Sequence, residues 1–139
     1  MVRSFRINGS GFNNALSPAN FALTSAVLQK GSNRYLYIAH GVMAVVDPEQ
    51  NGLAQTISAN IDGFQAVTVT VSGNRVYFGG LLNNSSIVLE FNANQPMSPQ
   101  LVSILFASGR ITSIAAADKN LITYVRNESN NQIRVVPNR

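Results

Sequence analysis

The 139-residue chain has no cysteine, no tryptophan and a single histidine, His40. Disulfides, thiolate metal sites and cysteine nucleophiles are therefore excluded by inventory. One histidine cannot make a histidine metal cluster, and any Ser-His-Asp arrangement would have to pass through His40. Charge is scarce as well. Only 12% of residues are charged, about half the quarter usual for globular proteins. Long apolar runs are missing, and none approaches the roughly 20 residues that a helix needs to cross a bilayer. Met1–Ser10 holds Arg3 and Arg6 but no apolar stretch behind them, so it does not read as a signal peptide.

What fills the gap is asparagine, with 17 residues against 10 for lysine plus arginine and 6 for aspartate plus glutamate. The surface this implies is polar and weakly charged. At 45% hydrophobic residues the chain can still build a core, so wholesale disorder is excluded. The pI near 10 rests on a formal charge of only +4. Beyond Arg6 the basic residues stand one at a time, whereas a nucleic-acid surface gathers them on one face to neutralise several phosphates together. No nucleic-acid partner is expected. Gly79-Gly80 and Gly9-Ser10-Gly11 read as turn glycines, because no helix follows them to cradle a phosphate.

Three stretches can be superposed: Phe21 to Ala39, Phe64 to Gly79 and Arg110 to Val125. Each has a run of small and β-branched residues, a short Gly/Asn/Asp turn, and a strand with aromatic residues. Asn33, Asn74 and Asn120 mark the turns, at a spacing of 41 and then 46 residues. Further strand-like segments follow: VMAVV and LAQTISA after the first hairpin, SIVLEF and QLVSILF after the second, QIRVV after the third. Four short strands in about 40 to 46 residues is the arithmetic of a β-propeller blade. Side-chain size agrees. First strands, which converge on an axis, are small (Thr24, Ser25, Ala26; Ala66, Val67, Thr68; Ser113, Ala115, Ala116), and second strands carry Tyr35, Tyr37, Tyr77, Phe78 and Tyr124. Leu36-Tyr37-Ile38 and Ile87-Val88-Leu89 are apolar without alternation, as expected of strands covered on both sides.

The pattern predicts an all-β chain of three four-stranded antiparallel propeller-like blades, at about 21–60, 64–107 and 110–137, within a single segment spanning 1–139. The third unit lacks a fourth strand, and residues 2–7 (VRSFRI) are expected to supply an outer closing strand. Rings use about 4 to 8 blades, so three units predict an incomplete propeller or half of a six-bladed homodimer, with apolar faces left for another copy to cover. A two-sheet β-sandwich is the alternative.

LYIAHGVMAVVDP at Leu36–Pro48, AVTVTVSGNRVYFGG at Ala66–Gly80 and NQPMSPQLVSI at Asn94–Ile104 resemble the LVIVD-repeat proteins, over about two of the three units. Val45–Pro48 and Val71–Asn74 carry the match. In the second unit Glu90 stands near the place of the aspartate, and the third unit has no acid there. The resemblance implies a propeller, often exported or surface-associated, with no agreed catalytic residues to carry over.

Propeller topology would gather on one end the turns between second and third strands and the links between units. Candidate ligand-binding residues there are His40, Asn60, Asp62, Asn83, Asn84, Arg110, Asn127, Asn130 and Asn131. Amide side chains offer both donors and acceptors, which suits a neutral glycan or a peptide backbone. The same asparagines also suit turns, because Asn tolerates left-handed backbone. Asp47 is expected to cap its Pro turn. No catalytic group, metal or cofactor is assigned. The function expected is a non-catalytic binding or assembly module with a protein or glycan partner; the alternative is a fragment of a propeller hydrolase or lyase with its site completed by other blades.

Overall fold

The computed structural model describes residues 2–5, 12–16, 24–50, 52–107, 110–117, 120–126 and 131–137, with side chains over 24–50, 52–105, 111 and 113–116. Every regular element among them is a strand: β1 (Val2–Phe5), β2 (Phe12–Leu16), β3 (Thr24–Lys30), β4 (Asn33–His40), β5 (Val42–Val46), β6 (Ala54–Thr56), β7 (Gln65–Ser72), β8 (Arg75–Leu82), β9 (Ser85–Asn92), β10 (Gln100–Ala107), β11 (Arg110–Ala117), β12 (Asn120–Arg126) and β13 (Asn131–Pro137). They form antiparallel sheets in the orders β3-β4-β5-β6, β7-β8-β9-β10 and β11-β12-β13, plus a two-stranded sheet of β1 and β2. The chain is all-β, with two four-stranded meanders. We call the larger sheets 1, 2 and 3 in chain order.

Two details depart from the sequence reading. Val2–Phe5, the described part of the strand expected at 2–7, pairs with Phe12–Leu16, Phe5 opposite Phe12, and not with β13, whose only pairing among the described residues is with β12. Residues that follow β1 closely reach it more easily than a strand more than a hundred residues away, because loop closure costs entropy. The fourth strand of sheet 1 is also shorter than Leu53–Ala59. β6 pairs only through Ala54, Gln55 and Thr56, opposite Val46, Val45 and Ala44. Its partner β5 is only five residues long, and one further bond, from the Ile57 amide to the Met43 carbonyl at 2.8 Å, ends the pairing.

The two central strands of sheet 2 are buried on both faces. Val76 to Gly80 on β8 and Ser86 to Phe91 on β9 are continuous buried runs, where a sheet with one wet face would alternate. Strand geometry sends neighbouring side chains to opposite sides, and they enter two different clusters. Val76, Phe78, Ile87, Leu89 and Phe91 pack with Tyr37, Ala39, Met43 and Val45 of sheet 1. Tyr77 and Val88 pack with Ile111 and Ile114 of sheet 3. Phe78 sits at the centre of the larger cluster, edge-on to Tyr37 at 6.5 Å and to Phe91 at 5.9 Å, a geometry that aligns ring edges with ring faces. On the other face of sheet 1, Ile38, Ala44 and Val46 form a third buried cluster. Val27 and Val42, on the same face by strand alternation, remain about half exposed, at 53% and 45%.

Close approaches need a bare backbone at two places on β8, from sheet 3 at Gly79 and from the neighbouring strand β7 at Gly80. A Cβ on Gly79 would lie 2.9 Å from a Thr68 methyl and 3.1 Å from one of Ile111; on Gly80 it would lie 2.1 Å from the Gln65 carbonyl oxygen. These glycines, read from sequence as turn residues, stand inside a central strand.

Candidate functional site

The sheets are joined by a repeated link. At the turn between β4 and β5, Gly41 has φ +75°, which a side chain would resist. It exchanges two backbone hydrogen bonds with Ala66 on β7: the Gly41 amide to the Ala66 carbonyl at 2.8 Å, and the Ala66 amide to the Gly41 carbonyl at 3.0 Å. The next unit repeats this with a side chain. At the start of β9 the buried Ser86 hydroxyl accepts the Ile111 amide of β11 at 2.8 Å, across 25 residues, the separation that also divides Gly41 from Ala66.

Each link is followed by a β-bulge in the incoming strand. The register shifts between Ala66 and Thr68 on β7 and between Ile111 and Ser113 on β11. A bulged residue leaves backbone groups without ladder partners, and the Val67 carbonyl is satisfied instead by the Thr24 hydroxyl of β3 at 3.1 Å. Bond and bulge together bring β7 beside β3 on one side and β11 on the other.

These links gather one end of the molecule. The β4–β5 turn at His40–Gly41, the inter-unit segment leading into Ala66, and the β8–β9 turn lie together there; a Cβ on Gly63 would sit 3.9 Å from the Leu82 side chain. His40 is buried at the end of β4. Asp62 is exposed, so these two do not share one environment. Asn60, Asn83 and Asn84 are exposed and all have positive φ, of 55°, 50° and 66°. Asn83-Asn84 thus forms the two-residue hairpin turn whose twist matches the flanking strands. Backbone conformation explains these three asparagines directly. The Arg110 and Asn131 side chains and the whole of Asn127 and Asn130 lie outside the described residues.

At the opposite end, the 93–99 segment folds back over sheet 1. The Tyr37 hydroxyl donates to the Pro96 carbonyl at 2.7 Å, the Lys30 ammonium donates to the Asn94 carbonyl, and the Ala93 amide donates to the Asn74 carbonyl at 2.8 Å. Burial, with Tyr35 beside it, raises the Tyr37 phenol well above its ordinary value of 10.0. Asp47 does cap its turn, its carboxylate accepting the Glu49 amide at 3.0 Å.

A polar row centred on the buried Glu90 crosses the face of sheet 2 that meets sheet 3. Glu90 stands opposite Tyr77 on β8 and Ser103 on β10. Its carboxylate accepts the Ser103 hydroxyl at 2.6 Å and the Tyr77 hydroxyl at 3.5 Å, and lies 3.7 Å from Arg75 Nε. The signal was a lone acid in an apolar strand, but its partners are fixed by register. Among the described residues no group of three His, Asp or Glu side chains is placed to hold a metal ion, and no helix is long and apolar enough to cross a membrane. No family model matches this chain, and no curated protein matches it.

Proposed function

We propose that this chain is a non-catalytic binding or assembly module built from propeller-type repeats of the LVIVD kind, presenting its link-and-turn end to a neutral polar partner, protein or glycan. The observation that carries this reading is the repeated link. The same 25-residue separation joins sheet 1 to sheet 2 and sheet 2 to sheet 3, and a middle sheet whose central strands are covered on both faces is what stacked blades require. A two-layer sandwich would leave each sheet one outer face. Extension by further units, from the rest of a longer chain or from a second copy, follows from the same stacking.

The link-and-turn end is favoured for binding because it combines exposed amides at Asn60, Asn83 and Asn84 with a rigid backbone fixed by the Gly41–Ala66 bonds. Rigid polar groups lose little freedom when a ligand docks. Titration of the labelled chain with a panel of neutral oligosaccharides and uncharged peptides, followed by amide NMR, tests this. Expected shifts fall at 40–41, 60–66 and 81–86; shifts confined to 31–32, 73–74 and 93–99 would place the binding surface at the wrong end.

A further inference from the structure

The outer edge of sheet 2 is β10, eight residues long, with the sequence QLVSILFA. Among the described residues it pairs only with β9, so one side of its backbone offers donors and acceptors that only another extended strand can satisfy in series. Natural edge strands are guarded by charge, proline or brevity. The other strand ends of the larger sheets show such guards: β6 is three residues long, β13 carries Arg134 and Pro137, β3 carries Lys30 and β11 carries Arg110. β7 is equally long and uncharged, but it lies between β3 and β11 and already holds the bonds from Gly41 and Thr24. β10 has no charge and no proline, and it exposes Val102 (50%) and Ile104 (40%). Its one irregularity is the register shift between Leu101 and Ser103, which leaves Ser103–Ala107 in regular pairing.

We propose that β10 is a self-association edge whose occupant is β10 of a second copy, paired antiparallel about a two-fold axis. Antiparallel two-fold pairing sets the strand against itself, so a charge near its middle meets its own copy across the axis. An uncharged strand escapes that repulsion. This selects a second copy over a partner strand bearing charges, which would find no complement along QLVSILFA. Joining two copies this way makes a continuous eight-stranded sheet and withdraws Val102 and Ile104 from water. The proposal stands on the edge itself and does not need the link-and-turn end to bind anything.

Sedimentation equilibrium of the chain over a concentration series is expected to show a monomer–dimer equilibrium, with amide exchange in 100–107 slowing as the dimer forms. Ile104→Lys and, separately, Val102→Lys should each weaken association at least tenfold while leaving the circular dichroism spectrum unchanged. Val102 lies at the bulge and half exposed, so its variant keeps the test available if position 104 disturbs folding. Mixing Ile104→Lys with Ile104→Glu should restore association, as opposite charges face each other across the axis. A chain that stays monomeric at several hundred micromolar, or a dimer unaffected by both lysine variants, would overturn the proposal. Self-association with unchanged exchange in 100–107 would assign the contact to another surface.

Discussion

Asn84 at φ +66° and Gly80, with no room for a Cβ, show how differently two residues can be required by the backbone. Left-handed backbone costs an ordinary L-residue about 1–2 kcal/mol, and asparagine visits it more readily than most. Asn84→Ala should therefore destabilise by about 1 kcal/mol, with Asn84→Gly changing stability less, as read by urea denaturation. Gly80→Ala would press a methyl onto a carbonyl oxygen of its own sheet, whereas Gly79→Ala meets methyl groups that can shift. Overpacking of the second kind costs about 1–3 kcal/mol, and Gly80→Ala should cost more than Gly79→Ala in the same assay. Tyr37 supplies a pH signature. Its folded phenol titrates above the unfolded value of 10.0, so the unfolded chain loses that proton first. Stability is unaffected below about pH 10 and falls as pH rises above it. In Tyr37→Phe this part of the alkaline loss should disappear from denaturation curves compared between pH 9 and 11.

At the level of strands, Ser86 is the residue on which the attachment of sheet 3 turns. Ser86→Ala would leave the Ile111 amide without its acceptor at the buried junction, a loss of about 1–3 kcal/mol. Amide exchange should quicken in 110–117 more than in β4 or β5; uniform quickening would mean that the link is not local. The strands themselves were legible in the sequence. Apolar runs broken by Gly and Asn marked β4, β5, β7 and β9 to β13 to within a residue or two, because hairpin turns and apolar strands are local properties; the end of β8, three residues beyond Gly79, was not marked. Pairing partners were less so. VRSFRI has the alternation of an edge strand, and nothing in its own residues says whether β2 or β13 will receive it. Gly79-Gly80 looked like a turn because the reason for the pair, the approach of Ile111 and Gln65, lies in other segments. Of the asparagines of the candidate site, Asn83 and Asn84 form a turn and Asn60 lies in a bend, all three with positive φ; Asn131 begins β13, and Asn127 and Asn130 lie outside the described residues. Glu90 gathers its partners from two flanking strands at once, so its role depended on register.

For the whole molecule, the central issue is whether sheets stack in series or pair in two layers. Stacking makes sheet 2 an interior layer, with Phe78 in one core and Tyr77 in the other. The absence of native cysteine makes this measurable one position at a time, since each introduced thiol reports alone. The direct test is a cysteine scan of β9 at Ile87, Val88 and Leu89, with the rate of thiol alkylation measured on the folded chain. Stacked sheets predict three slow rates of similar size, because Ile87 and Leu89 face sheet 1 while Val88 faces sheet 3. Alternation, with Val88→Cys reacting fast between two protected neighbours, would contradict the stacked arrangement and return the chain to a two-layer sandwich.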